Sequence, residues 1–128
     1  MHTFLMKFHY TSGSWARMMK VADDRTVAVR ALMEAVGGRL VHIWWDVGTC
    51  SGYTVAELPD AVSAAAVLAA TAKTGAFTDC EAHELLTEDQ LHDAILLAKA
   101  ASDVYSPPGK MAAEVALEGL SAPRRTPR

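Results

Sequence analysis

The sequence has little of what marks secreted or membrane-bound proteins. It has only two cysteines, Cys50 and Cys80, far apart in the chain, so it shows no disulfide framework and we expect a cytoplasmic protein with reduced thiols. Its longest mostly apolar run, Ala64 to Ala72, is too short to cross a bilayer. Met1 is not followed by the basic and apolar regions of a signal peptide. We therefore expect no membrane partner.

An excess of positive charge is also missing. The chain has 12 Lys and Arg against 15 Asp and Glu, a net charge of −3, whereas nucleic-acid-binding domains usually carry a basic surface. We therefore expect no nucleic-acid partner. The 128 residues, 51% of them hydrophobic, suffice for one domain with a single core.

The apolar pattern predicts the element order β-α-β-β-α-β, followed by a third helix. Alternation over Thr3 to Tyr10 predicts the first strand. Helical spacing that begins at Ser12 or Ser14 and ends at Gly37-Gly38 predicts one long helix. The other predicted elements are a hairpin turning at Gly48-Thr49 and running to Leu58, a helix from Pro59-Asp60 to Thr74, a strand over Ala76 to Leu86, and a helix opened by the capping box Thr87 to Gln90.

This order is the ferredoxin-like α+β arrangement, a four-stranded antiparallel sheet with its helices on one face. We expect residues 1–104 to form the domain, and residues 105–128, with a short helix over Lys110 to Leu120, to be a peripheral, partly mobile extension. The other sheet face is left uncovered, and face-to-face pairing is the usual way to cover such a surface. We therefore expect a homodimer.

The strand before the turn carries polar and aromatic groups on one side, which is typical of a pocket wall. Because residues alternate along a strand, Leu40, His42, Trp44 and Asp46 point to this side. The residues between them, Val41, Ile43, Trp45 and Val47, point to the core. A two-residue turn would pair Trp44 with Tyr53 and His42 with Val55, and a three-residue turn would move Tyr53 away. The residues predicted to line the uncovered face are Lys7, His9, His42, Trp44, Asp46, Tyr53, Asp79, Glu81 and His83.

Three of the five histidines fall on this face, which suggests general acid–base chemistry because imidazole titrates near neutral pH. We predict that His42 and His9 are the acid–base pair. Asp46, Glu81 and His83 would tune or orient them, while Trp44, Tyr53 and Lys7 would bind the substrate. The predicted activity is a cofactor-independent isomerisation, cyclisation or elimination on a small organic metabolite.

Several alternatives stay open at this point. The chain would otherwise be a non-catalytic small-molecule-binding or interaction module, in which these side chains form a hydrogen-bonded polar layer. His9, His42, His83 and Glu81 would suit zinc or iron, and haem is a variant of that idea. Cys50 would be a nucleophile if a histidine lowered its pKa, although a lone cysteine is more often a small buried hydrophobe.

The arginines of the first predicted helix give a further, smaller alternative. We expect Arg17, Arg25 and Arg30 to face water. The alternative is that one of them binds a carboxylate of the substrate.

Five segments between Thr3 and Gln90 together match a family pattern. They are Tyr10-Thr11 after the first strand, Gly37-Gly38, the aromatic strand His42 to Trp45, Glu57-Leu58-Pro59-Asp60, and the cap Thr87-Glu88-Asp89. In these segments the sequence resembles the GYD-domain family of small bacterial proteins, which is similar to the dimeric α+β barrels. The Gly-x-Tyr-Asp motif of the family reads Gly48-Thr49-Cys50-Ser51 here. The resemblance implies a ferredoxin-like fold and a dimer, and it implies no particular reaction.

Overall fold

The structure is a computed structural model that describes residues 1–109. The elements are β1 His2–Tyr10, α1 Ser12–Lys20, α2 Arg25–Ala35, β2 Arg39–Asp46, β3 Ser51–Leu58, α3 Ala61–Ala72, β4 Phe77–Leu85 and α4 Glu88–Ser102. The strands form one antiparallel sheet in the order β2-β3-β1-β4, which confirms the predicted ferredoxin-like α+β class with an added helix. The helix predicted over Lys110 to Leu120 lies outside the described residues.

Residues 1–85 form one compact unit, and α4 belongs to a second unit that begins at Leu86. The predicted capping box opens α4. The Thr87 hydroxyl accepts from the Gln90 backbone N–H at 3.2 Å, and the Gln90 side chain accepts from the Thr87 N–H at 2.9 Å. Neither α4 nor any other helix within residues 1–109 is long and apolar enough to cross a membrane.

The prediction of one long first helix is wrong, because the chain forms two helices there. α1 ends at Lys20, and α2 begins after Asp24. The Asp24 carboxylate accepts hydrogen bonds from the backbone N–H groups of Thr26 at 3.0 Å and Val27 at 3.3 Å. Those N–H groups have no partner inside a helix, so an aspartate at this position starts a new one. The cap of α1 is Thr11 rather than one of the predicted serines.

Gly37 and Gly38 end α2 as predicted. Gly37 has a φ of +86°, a left-handed conformation that glycine adopts at little cost. Its N–H donates to the Glu34 carbonyl at 3.0 Å, and the Gly38 N–H donates to the Met33 carbonyl at 3.0 Å. This pair of bonds is the Schellman motif, which satisfies the last carbonyls of the helix.

The predicted register of the hairpin between β2 and β3 is confirmed. Trp44 pairs with Tyr53, and His42 pairs with Val55. The connection outside the strands comprises residues 47–50, two more than predicted, and it leaves this register unchanged. Paired residues share a sheet face, so Tyr53 stays beside Trp44.

The prediction that Leu40 lies on the uncovered face is wrong. A register shift between Leu40 and His42 places an irregularity at Val41, so Leu40 pairs with Ala56 and is only 8% exposed. A β-bulge adds one residue to its strand and thereby reverses the alternation beyond it. Leu40 joins the core because of this bulge.

The core lies on the side of the sheet that packs against α2 and α3. Its buried members are Phe4, Met6, Phe8, Val29, Met33, Leu40, Ala56, Leu58, Ala64 and Val67. Trp45 is on this side, with its ring over Gly52 and 6.0 Å from the Tyr10 ring. However, Trp45 is 38% exposed, so its prediction as a core residue is only half right.

Thr54 is fully buried in this core, and its hydroxyl has no hydrogen-bond partner within the described part of the chain. Replacing Thr54 with valine keeps the shape and removes the unpaired polar group, so we expect the free energy of unfolding to rise by about 1 kcal/mol. Urea denaturation of the variant and the wild type measures this difference in the free energy of unfolding. The matched control is Thr71→Val, because the Thr71 hydroxyl has carbonyl acceptors, those of Leu68 at 2.9 Å and Val67 at 3.1 Å, for its one hydrogen. An equal gain in both variants would contradict this explanation.

Candidate functional site

The structure places the predicted site residues on the sheet face opposite α2 and α3. The ladders align them in rows that run across the four strands in the order β2, β3, β1, β4. The rows are Trp44–Tyr53–Lys7–Glu81, His42–Val55–Leu5–His83 and Asp46–Ser51–His9–Asp79. We call this surface the open face.

The open face brings some of these residues into contact. His83 Nε2 lies 3.0 Å from Glu81 Oε1. This hydrogen bond is the main cause that lowers the pKa of the Glu81 carboxyl, with smaller contributions from the charges of His83 and Lys7. The Lys7 ammonium also lies 5.7 Å from the centre of the Tyr53 ring. These four residues form one partly exposed polar cluster on β4, β1 and β3.

The two histidines predicted as an acid–base pair do not meet within one chain. β3 lies between their strands, and His9 is four residues along β1 from the row that contains His42. Strand spacing puts their Cα atoms about 10 Å apart across the sheet and about 13 Å apart along it. His42 instead stacks on Trp44, with 4.8 Å between ring centres.

Asp46 also does not reach the imidazoles predicted to need it. Its carboxylate accepts a hydrogen bond from the Thr49 hydroxyl at 2.9 Å, so it holds the loop between β2 and β3. Cys50 lies in the same loop with a φ of +53°. Its sulfur lies 4.0 Å from the Val47 carbonyl, and no imidazole hydrogen-bonds to it within residues 1–109. Its role as a nucleophile stays a prediction.

The alternative metal site is not assembled within one chain either. His42 and His83 lie on the opposite edge strands, β2 and β4. Across the described ranges, no three or more His, Cys, Asp or Glu side chains lie close enough together to hold a metal ion. The haem alternative stays a prediction.

A cavity of about 810 Å³ lies on the other side of the sheet, and the sequence did not predict it. Its floor is a cluster of aromatic rings. The centre of the Phe77 ring lies 5.6 Å from the centre of the Phe8 ring and 4.7 Å from the centre of the Tyr10 ring. Val29 and Leu32 of α2 form part of its wall. We call this space the helix-side cavity.

The mouth of the helix-side cavity is charged. Arg17, Lys20, Asp23 and Arg25 line it. Arg25 Nη1 pairs with Asp23 Oδ2 at 3.0 Å, while Arg25 Nε is buried and has no hydrogen-bond partner in the described part of the chain. The Arg25 guanidinium also acts on the Tyr10 hydroxyl. Burial raises the pKa of Tyr10, and the nearby positive charge of Arg25 opposes that shift.

The helices α1 and α2 both contribute to the wall of this space. Ser14 is the buried residue of α1, and the half-buried Met18 of the same helix also lines the cavity. Arg25 lies three, four and seven positions before Ala28, Val29 and Leu32, so all four share one helix face. This spacing would have indicated that Arg25 points at the cavity. Of the three arginines predicted to face water, Arg17 and Arg30 are exposed, whereas Arg25 is half-buried.

Comparisons with known proteins give one family and one structural neighbour. Residues 4–95 match the family model of the GYD domain. A solved structure of an uncharacterized NIPSNAP domain protein from Burkholderia xenovorans is similar at 14% identity and a TM-score of 0.44, over 68% of this chain and 94% of that chain. No curated protein matches significantly.

Proposed function

The chain belongs to the GYD-domain family, and we propose that it binds a small, mainly apolar organic molecule in the helix-side cavity. The observation that carries this proposal is the cavity itself, about 810 Å³ with a floor of three aromatic rings. Small-molecule sites in proteins typically enclose about 300–1,000 Å³ and have mostly apolar walls with a few polar groups. The helix-side cavity has this size and this composition.

Burial of apolar surface would supply the affinity. Phe8, Phe77, Val29 and Leu32 present rings and methyl groups to the space. A ligand that covers them removes apolar area from water, which is worth about 25 cal/mol per Å² before the costs of association.

Binding has stronger support than the isomerisation, cyclisation or elimination predicted from the histidines. That reaction needs two acid–base groups within hydrogen-bond reach of one substrate. His9 and His42 lie on strands separated by β3, and the carboxylate of Asp46 is engaged by Thr49. The geometry of one chain therefore favours a binding module over an acid–base enzyme on the open face.

A second proposal concerns the open face, which we propose binds a second copy of this chain. Trp44 is 55% exposed there, and Leu5 and Val55 lie beside it in the next row. The face carries both charge signs, Lys7 among them as a cation and Glu81 as an anion. A surface with both signs and apolar groups is complementary to itself, which is what a two-fold interface requires.

The cavity proposal is tested by titrating the protein with phenylnaphthylamine, a neutral aromatic probe whose fluorescence rises in apolar surroundings. We expect the wild type to bind it. Ala70 lines the cavity, so Ala70→Trp should fill part of the space and weaken binding about tenfold or more, a change of about 1.4 kcal/mol.

The matched control is Ala69→Trp, because Ala69 is the preceding residue of α3, is exposed and does not line the cavity. It should bind the probe as the wild type does. Circular dichroism checks that both variants are folded. The proposal fails if the wild type does not bind, or if the two tryptophan variants bind equally well.

A further inference from the structure

Resting on the proposed cavity site, we infer that its ligand ends in one anionic group, a carboxylate or similar oxyanion, which pairs with Arg25 and accepts a hydrogen bond from Tyr10. The rest of the ligand is then the apolar body that lies on Phe8 and Phe77.

The charged side chains at the mouth of the cavity are mostly positive. Arg17, Lys20 and Arg25 line the cavity with three positive groups, and Asp23 is the carboxylate among its lining residues. The chain as a whole has a net charge of −3, so the sign here is opposite to the average. A local excess of cations at the opening of an apolar space favours an anionic ligand group.

The Arg25 guanidinium has one donor that is paired within the protein and one that is not. Asp23 engages Nη1 at 3.0 Å, and Nε is buried without a partner among residues 1–109. A buried donor without an acceptor costs free energy, which a ligand oxyanion would recover. Guanidinium groups bind carboxylates through two parallel N–H donors, and Nε is commonly one of them.

Tyr10 supplies a second donor, because it lines the same cavity as Arg25 and carries a hydroxyl group. A tyrosine hydroxyl keeps its proton at neutral pH, and burial raises the pKa of Tyr10 further. An anionic oxygen at this position would therefore meet an N–H donor from Arg25 and an O–H donor from Tyr10.

The apolar floor limits the ligand to one anionic group. Phe8, Phe77, Val29 and Leu32 offer no partner for further charges, and an unpaired charge among them would be strongly disfavoured. Asp23 at the mouth would also repel a ligand with several negative charges. A hydrophobic monoanion fits this arrangement, whereas a polyphosphate does not.

The test compares two probes that share one ring system. Anilinonaphthalenesulfonate is phenylnaphthylamine with a sulfonate added, so the difference between them reports the anionic group. We expect the wild type to bind the sulfonate more tightly than the neutral probe. Arg25→Gln should weaken sulfonate binding about tenfold, about 1.4 kcal/mol, and leave the neutral probe within about twofold.

Arg30→Gln is the matched control, because Arg30 is an exposed arginine of the same helix and does not line the cavity. It should bind both probes as the wild type does. If Arg25→Gln does not fold, the test is instead a titration of the wild type with both probes at rising concentrations of sodium chloride. Salt should then weaken binding of the sulfonate and not of the neutral probe.

The outcomes separate this inference from the proposed function. If the neutral probe binds and Ala70→Trp blocks it, while Arg25→Gln or salt leaves sulfonate binding unchanged, the inference is overturned and the cavity site stands. If neither probe binds the wild type, both are overturned. Equal losses in Arg25→Gln and Arg30→Gln would mean general attraction to a positive surface, and would also overturn the inference.

Discussion

Replacing Gly38 with alanine is expected to lower the free energy of unfolding by about 3 kcal/mol, the upper end of what overpacking costs. A Cβ atom at Gly38 would lie 2.4 Å from the Glu57 carbonyl oxygen and 2.5 Å from Leu58 Cδ2. The first of these atoms belongs to the backbone of β3, the strand between β2 and β1, so it cannot move without disturbing two ladders. Urea denaturation measures the loss.

Gly13→Ala is the matched control for this substitution. Gly13 lies in α1, and the nearest atom to a Cβ there is Arg17 Nη1 at 3.9 Å. Alanine is a better helix former than glycine by about 1 kcal/mol, so this variant should be as stable as the wild type or more so. Similar stabilities for Gly38→Ala and the wild type would contradict the close packing of Gly38 on β3.

The second large effect concerns assembly through the open face. Sedimentation of the wild type at micromolar concentration should show a dimer. Trp44→Glu puts a charge in place of an exposed aromatic side chain and should raise the dimer dissociation constant about 30-fold or more, because losing an interface tryptophan costs about 2 kcal/mol or more.

Val62→Glu is the control for the dimer. Val62 is 77% exposed on α3, on the opposite side of the sheet, so the same charge there should leave the dimer intact. A monomeric wild type at micromolar concentration would overturn the proposed homodimer. Equal weakening by both substitutions would show that the contact is not confined to the open face.

The sequence predicted those parts of the fold that local rules decide. The ends of α2 at Gly37-Gly38 and of α4 at Thr87 follow from the capping preferences of glycine and threonine. The pairing of Trp44 with Tyr53 follows from alternation, because the four-residue connection keeps the register that a two-residue turn predicts. The resemblance to the GYD-domain family, seen over Thr3 to Gln90, is confirmed by the match over residues 4–95.

Two local features were missed because competing patterns hid them. The apolar spacing continues through the break at Asp24, so only the capping role of that aspartate marks where α2 begins. The bulge at Val41 leaves no signal in an alternating strand, and it moves Leu40 from the predicted open face into the core. In both cases one residue decides the geometry.

The sequence predicts on which sheet face each site residue lies, but it does not predict the distances between these residues. Alternation assigns His9 and His42 to one face correctly, but it does not say how many strands lie between them. The strand order puts β3 between the two, which separates them. The helix-side cavity depends on side chains of α1, α2 and β4 lining one space, and these elements are distant in sequence.

The most direct test of the helix-side cavity is an isotope-filtered nuclear Overhauser spectrum of the protein with phenylnaphthylamine. The two faces of the sheet offer different methyl groups, those of Val29 and Leu32 in the cavity and those of Leu5 and Val55 on the open face. We predict cross-peaks from the ring protons of the probe to Val29 and Leu32. Cross-peaks to Leu5 and Val55 instead would contradict the proposed cavity site and place binding on the open face.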